Sequence, residues 1–201
     1  IYNGMPIDLS KLPSTRENNE RVYNEYDFQL QIQNKVLSPQ KARVAWRLEN
    51  ILAVDDRMYI DAIVNEVAVD FIIVRPNKGI LLVNVFEKNL DKCTLQNNSG
   101  EINIDGQKYQ SPIDLVSLCQ ISIKNSIEEL LMGTIENVHN FNIIKKVVVF
   151  SENSTSRVRE LFCCAPDCEN HTWIFGKEFI YDEKVSSLLY KTMHFFYNND
   201  C

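Results

Sequence analysis

The sequence predicts a single α/β domain with a mixed central sheet flanked by helices. Three observations lead to this prediction: β-rich segments occupy the middle of the chain, segments with helical spacing stand on either side of them, and a continuous apolar strand follows. The element order that these patterns predict is α-β-β-β-α-β-β-α. A continuous, β-branched strand is typical of a parallel or mixed sheet, so we expect the helices to cover this sheet.

The composition is that of a folded globular domain. The chain has 201 residues, of which 45% are hydrophobic and 24% are charged, and this excludes a disordered chain, a collagen-like fibre and a coiled coil. No apolar run approaches the roughly 20 residues that span a bilayer, so we expect no membrane partner. The net charge of −6 argues against a generally basic nucleic-acid binder.

Residues 1–37 are predicted to be an N-terminal arm, and residues 38–201 the main domain. The domain begins with a helix, because Ser38 and Pro39 are a typical N-cap and first helical position. Apolar residues at helical spacing extend this helix to about Leu52.

Three strands are predicted next, over residues 57–64, 67–74 and 80–86. The last two are joined by a short turn that contains Pro76 and Gly79, so we expect an antiparallel hairpin. Residues 91–110 are polar and contain turn signals, which predict a second, small hairpin with residues 101–104 as one strand.

A second helix is predicted from Ser111-Pro112 to about residue 132, packed on the sheet that contains the first hairpin. The remaining elements are a buried strand over 142–150, a short strand over 172–176 and a final amphipathic helix over 185–197. Lys145 and Lys146 form a small basic cluster, for which we expect a solvated face.

The segment over residues 69–86 resembles the NERD (nuclease-related) domain, a branch of the PD-(D/E)xK nuclease superfamily. In that family an apolar strand with an E-x-D motif precedes a Pro/Gly turn and an apolar strand that ends in E-x-K. Asp70 matches the family's Asp, Pro76 and Gly79 stand in the turn, and the element order over residues 40–195 follows the family. The resemblance implies a PD-(D/E)xK (restriction endonuclease)-like fold.

The resemblance also implies a chemistry. In the superfamily, carboxylates from adjacent strands hold Mg²⁺ or a similar hard ion, which polarises a phosphodiester and activates a water molecule. The family's Lys stabilises charge or orients that water. An active member would therefore use Mg²⁺ or Mn²⁺ and act on DNA, and family members are often fused to other enzymes or domains.

The chain departs from the family at most positions of the metal site. Ala68 stands in place of the Glu of E-x-D, Asn84 in place of the Glu of E-x-K, and Phe86 in place of the Lys; Leu115 replaces the Gln of the family's helix-start motif. Because Asp70 alone offers too few oxygens, we predict a nuclease-fold domain that has lost catalysis and holds no cofactor. Such a domain would act as a nucleic-acid-binding or regulatory module, alone or within a larger protein.

Two alternatives stay open. An active Mg²⁺-dependent nuclease would use Glu66 and Lys88, which have the parity to face the same side as Asp70 and Asn84, as a relocated metal and catalytic site. A protein-interaction or oligomerisation domain without a nucleic-acid role is favoured by the negative charge. Asp70 and Asn84 are also candidates for a purely structural hydrogen-bonded pair across the hairpin.

The six cysteines are unevenly spaced and do not indicate a disulfide framework, so we expect reduced thiols and a cytoplasmic protein. Cys163, Cys164, Cys168 and His171 are zinc-ligand residue types, but their spacing is not a standard arrangement and no second knuckle accompanies them. We expect reduced cysteines in a loop, and metal binding by this group stays an open question.

Overall fold

The computed structural model describes residues 7–8, 37–53, 56–75, 79–95, 100–131, 144–162, 172–186 and 189. The strands are β1 (Ile7–Asp8), β2 (Arg57–Val64), β3 (Val67–Arg75), β4 (Gly79–Phe86), β5 (Cys93–Leu95), β6 (Glu101–Ile104), β7 (Gln107–Gln110), β8 (Ile144–Phe150) and β9 (Thr172–Phe175). The helices are α1 (Pro39–Glu49), α2 (Pro112–Leu131), α3 (Thr155–Phe162) and α4 (Glu178–Tyr181).

The main sheet is mixed, as the sequence predicts. Its strand order is β1-β2-β3-β4-β8-β9. The first four strands pair antiparallel, whereas β8 and β9 run parallel to β4. The predicted hairpin is confirmed, because β3 and β4 are antiparallel neighbours whose pairing reaches Arg75 and Gly79. The carboxyl ends of β4, β8 and β9 therefore lie at one edge of the sheet.

Helices cover both faces of this sheet. One apolar core lies on the side of α1 and includes the buried side chains of Leu48, Phe71 and Val147. The other lies on the side of α2 and includes Val116 and Leu82. The predicted packing of the second helix on the hairpin sheet is confirmed, since α2 contacts β3, β4 and β8.

The α1 helix begins where the sequence predicts. Ser38 is its N-cap, with the side-chain oxygen accepting a hydrogen bond from Lys41 N at 3.2 Å, and a proline follows in the first turn. The helix ends at Glu49, earlier than the predicted end at Leu52. The helix ends early because the following turn is of the tighter 3₁₀ type: the amides of Ile51 and Leu52 donate to carbonyls three residues back, not four.

Strands β5, β6 and β7 form a separate antiparallel sheet beside α2. The predicted small hairpin is its β6–β7 part, and β5 adds a third strand. Its tight turn uses Asp105 and Gly106, with φ angles of 52° and 82°. Two positive φ angles in a two-residue loop match the twist of the flanking strands, and Asp-Gly is a favoured pair for such a turn.

Several predicted elements fall partly or wholly outside the described residues. Of the predicted N-terminal arm, the structure describes β1, which pairs with β2, and Leu37. Of the final predicted helix, only residues 185–186 and 189 are described. Among the helices that the structure describes, none is long and apolar enough to cross a membrane.

Candidate functional site

The β3–β4 hairpin stops pairing at the two polar residues that the sequence singles out. The strand ladder runs from the turn as far as the pair Phe71 and Val83. Beyond it, side chains replace backbone partners: Asp70 N donates to Asn84 Oδ1 at 3.2 Å, and Val85 N donates to Asp70 Oδ2 at 2.6 Å. Asp70 and Asn84 thus lie together across the hairpin and fill the opening between the strands.

A lysine from α1 completes the surroundings of Asp70. Lys41 Nζ lies 2.5 Å from Asp70 Oδ1 and 3.9 Å from Asp61 Oδ1. The Asp70 side chain is 12% exposed and that of Lys41 is 25% exposed. Because the capped start of α1 fixes Lys41 over the sheet, this ion pair is held in a largely buried position. We call Lys41, Asp61, Asp70, Asn84 and Glu87 the Lys41–Asp70 site.

Burial and charge act against one another in this site. Burial raises the pKa of Asp70, although the Lys41 ammonium and the Val85 N–H partly oppose the change. Burial also raises the pKa of Asp61, again against Lys41. Burial by itself lowers the pKa of Lys41, but the carboxylates of Asp70, Asp61 and Glu87 outweigh it, so the pKa of Lys41 is raised. The positive charge of Lys41 therefore interacts with three acidic side chains.

Asp61 has a strained backbone. Its φ is 49°, a left-handed value inside strand β2, and the strand register places it opposite Asp70. Its neighbours Ile60 and Ala62 belong to different cores, although residues two apart in a regular strand share a face. At Asp61 the strand therefore twists, so that the side chains before and after it face opposite cores. Strain of this kind costs about 1–3 kcal/mol and is concentrated at functional sites.

The start of α1 also joins two loops at the carboxyl edge of the parallel strands. Ser38 Oγ donates to Glu87 Oε1 after β4, and Gln40 Nε2 donates to Glu152 Oε1 after β8 at 3.0 Å. The buried Gln40 Oε1 has no hydrogen-bond partner among the described residues. Since ligands of open α/β sheets commonly bind at this edge, the position favours a functional role.

The structure does not assemble the relocated site of Glu66, Asp70, Asn84 and Lys88. Only Asp70 and Asn84 come together. Glu66 is exposed in the β2–β3 turn, four residues along the strand from Asp70, which corresponds to about 13 Å. The Lys88 ammonium lies 5.6 Å from the ring centroid of Tyr109, on the small sheet.

Two further residues on the elements that resemble the family are Phe86 and Glu49. The ring of Phe86, which stands in the family's Lys position, packs edge-on against Phe150 with centroids 5.6 Å apart. Glu49, in the first helix, is buried at the opposite end of α1 from Lys41, about 12 Å along the helix axis.

The cysteine group at Cys163, Cys164 and Cys168, with His171, lies outside the described residues. Within the part of the chain that the structure describes, no three His, Cys, Asp or Glu side chains are grouped so that they could hold a metal ion.

Sequence reasoning missed Lys41 and Asp61. Asp61 carried a usable signal, because it is an acid inside a β-rich apolar segment, as Asp70 is. The β2–β3 hairpin pairs Val64 with Val67, so counting three residues away from the turn on each strand places Asp61 opposite Asp70. Lys41 carried no such signal, since a lysine in the first turns of a helix is ordinary.

No protein-family model, curated protein or solved structure matches this chain. The resemblance to the NERD domain therefore depends on the residues of the β3–β4 segment and on the element order.

Proposed function

We propose that the chain is a PD-(D/E)xK-like nuclease-fold domain, similar to the NERD domain, that binds nucleic acid or regulates a partner without cleaving a phosphodiester. The observation that carries this proposal is the ion pair between Lys41 and Asp70. The two oxygens of the carboxylate that the family would offer to a metal are engaged by Lys41 Nζ at 2.5 Å and Val85 N at 2.6 Å.

The energetics of this pair support a site without a metal. A divalent cation at Asp70 would have to displace the ammonium, and breaking a buried ion pair costs about 3–5 kcal/mol. The neighbouring Asn84 is neutral and its Oδ1 already accepts from Asp70 N. Mg²⁺ requires several oxygen ligands in near-octahedral positions, which these two residues do not provide.

Two exposed lysines support a role in binding nucleic acid at the same edge. Lys88 follows β4 and Lys177 follows β9, and the parallel strands place both loops beyond the carboxyl edge. Lysines at such positions neutralise phosphates without reading bases. The acidic Glu87 and Glu152 lie at the same edge, so we expect weak binding whose affinity falls with salt with a log–log slope of about −2.

The test combines a binding and a cleavage assay on the whole chain. Fluorescence anisotropy with labelled single- and double-stranded DNA should show binding that weakens in Lys88→Ala/Lys177→Ala. Arg57→Ala is the matched control, because Arg57 is exposed at the amino end of β2, at the opposite edge. Incubation of the same DNA with Mg²⁺ or Mn²⁺ should yield no product. Metal-dependent cleavage that is lost in Asp70→Ala would refute the proposal.

A second candidate, a protein-interaction domain, is favoured by two exposed isoleucines. Ile63 and Ile121 are 49% and 52% exposed. The turn after β2 reaches α2, since Asn65 Nδ2 donates to Ser122 O at 3.4 Å, so both side chains lie in neighbouring segments. Sedimentation of the wild type against Ile63→Asp tests it: a self-associating species that dissociates in the variant would favour this function.

A further inference from the structure

Strand β7 is the edge strand of the small sheet, whose order is β5-β6-β7. Among the described strands, none pairs with the outer side of β7. An unpaired edge of this kind offers a row of backbone N–H and C=O groups to another extended chain. The hydrogen bonds of the β6–β7 hairpin show which backbone groups these are.

The backbone groups of Lys108 and Gln110 face the open edge. Along an antiparallel pair, residues alternate between positions that exchange hydrogen bonds with the partner strand and positions that do not. Ser111, one residue beyond β7, is a hydrogen-bonded position, because its N–H donates to Gly100 O at 2.8 Å. Tyr109, two residues back, shares this direction toward β6. The amides and carbonyls of Lys108 and Gln110 therefore face away from β6.

The side chain of Lys108 does not close this edge. A lysine on an edge strand commonly prevents pairing with another chain, because its charge lies over the unpaired backbone. Here Lys108 Nζ lies 3.1 Å from Glu101 Oε2, and Glu101 belongs to the neighbouring strand β6. The ammonium is thus drawn across the hairpin, and the edge stays open to a backbone partner.

A cavity of about 620 Å³ lies between this strand and α2. The helix side of its wall consists of Asp114, Ser117, Leu118 and Ile121, whose spacing of three, four and seven residues places them on one face of α2. Leu118 and Ile121 are 45% and 52% exposed, although both are apolar. The strand edge and this helix face therefore form the two sides of one groove.

The hydroxyl in the helix side of the groove is already engaged. Ser117 Oγ donates to Ile113 O at 2.8 Å and accepts from Lys146 Nζ at 3.2 Å. Lys146 itself is 7% exposed, so the expectation of a solvated Lys145-Lys146 cluster is wrong for this residue. The groups left for polar contacts with an occupant are therefore those of the strand edge and of Asp114.

Asp114 gives the groove a negative charge. It is exposed in the first turn of α2 and has no ion-pair partner among the described residues. The charges of Lys108 and Glu101 compensate each other, so they do not change this balance. A positively charged side chain is therefore favoured in the occupant, whereas the phosphates of a nucleic acid are not.

We propose that this groove binds an extended peptide segment of a partner protein, which adds to β7 as a further strand of the small sheet. The peptide backbone pairs with Lys108 and Gln110, an aliphatic side chain packs on Leu118 and Ile121, and a basic side chain pairs with Asp114. In strand addition at a sheet edge, main-chain hydrogen bonds supply affinity and side-chain pockets supply specificity. The groove involves neither the Lys41–Asp70 site nor a nucleic acid.

The helix side of the groove also predicts the spacing of the two peptide side chains. Asp114 and Leu118 are one turn apart, which corresponds to about 6 Å along the helix. Every second residue of an extended chain faces the same side, and two residues span about 6.6 Å. A basic and an aliphatic residue separated by one residue therefore match this wall.

The test begins with a random decapeptide library displayed on phage and selected against the whole chain. We expect enrichment of Lys or Arg two positions from Ile, Leu or Val. Fluorescence anisotropy then measures the affinity of a labelled selected peptide. Leu118→Glu should weaken binding about tenfold or more, because it removes apolar contact. Ile63→Glu, the matched control at an exposed aliphatic residue outside the cavity wall, should bind like the wild type. No enriched motif, or equal effects of the two variants, would overturn the proposal.

Hydrogen exchange followed by NMR tests the strand pairing itself. In the free chain the amides of Lys108 and Gln110 should exchange faster than that of Tyr109, and the selected peptide should slow both of them. Binding that leaves both amides fast would refute strand addition. Asp114→Asn should remove the preference for a peptide with Lys over the same peptide with Gln at that position, and an unchanged preference would refute the basic contact.

Sedimentation of the chain without peptide distinguishes a second copy from a partner peptide. We expect no self-association that depends on Leu118. A dimer that protects the amides of Lys108 and Gln110 and dissociates in Leu118→Glu would show that the occupant is another copy of this chain, and the proposed peptide would be refuted.

Discussion

Two lysines on opposite faces of the same sheet, one partly and one fully buried, have opposite surroundings. Lys41 reaches Asp70 from α1 and has further carboxylates nearby, and its pKa is raised. Lys146 lies beneath α2 with Ser117 as its hydrogen-bond partner, and its pKa is lowered. Partners therefore act together with burial on the pKa of a lysine: the carboxylates around Lys41 outweigh its burial, whereas no neighbouring charge opposes the burial of Lys146.

Removing each amine should have very different effects on stability. In Lys41→Met, Asp70 stays buried without its cation, so we expect the free energy of unfolding to fall by about 3–5 kcal/mol. In Lys146→Met, the loss is one hydrogen bond to a hydroxyl, and apolar packing replaces it, so the change should stay within about 1 kcal/mol. Urea unfolding at pH 7 measures both. Equal losses in the two variants would contradict the comparison.

The pH dependence should differ in sign between the two lysines. The folded pKa of Lys146 lies below the reference value of 10.5, so the unfolded chain binds more protons there and stability rises with pH up to about 10.5. The folded pKa of Lys41 lies above 10.5, so its contribution is complete below that pH and is lost above it. The measurement is the free energy of unfolding from pH 8 to 11 for the wild type, Lys41→Met and Lys146→Met. If the three proteins show the same dependence on pH, neither lysine has the shifted pKa that we infer.

A smaller change in stability is expected from the backbone strain at Asp61, which lies beside Lys41. Asn tolerates the left-handed φ of 49° that Asp61 adopts, whereas Ala does not. We therefore expect Asp61→Ala to be about 1 kcal/mol less stable than Asp61→Asn, because the two variants remove the same charge and differ in backbone strain. Thermal unfolding measures the difference. Equal stabilities would mean that the strand relaxes at this residue.

The fold was accessible from the sequence because its signals are local. The Ser38-Pro39 start, the apolar alternation of β3 and the short turn before β4 act within a few residues. The end of α1 was missed because tightening of the last turn leaves no distinct residue signature. The identity of the fold with the nuclease superfamily stays a prediction.

Only half of the candidate site could be predicted from the sequence. Asp70 and Asn84 stand out because polar residues in apolar strands need partners. Lys41 was not predictable, since no local pattern says where a helix crosses a sheet. Lys146 was misinterpreted for a related reason: two adjacent lysines look like a solvated cluster until both faces of the strand are known to be covered.

Metal ions should not bind at the Lys41–Asp70 site. Calorimetric titration of the wild type with Mn²⁺ should show no micromolar binding that depends on Asp70, because the ammonium already neutralises this carboxylate at 2.5 Å. The matched control is Asp70→Ala, which should give the same titration. Loss of one preorganised contact typically costs about 10²–10³ in rate, so a site without the family's two Glu and its Lys should yield no DNA cleavage. Micromolar Mn²⁺ binding that vanishes in Asp70→Ala would mean that Lys41 moves aside for a metal, and the active-nuclease alternative would then replace the binding module.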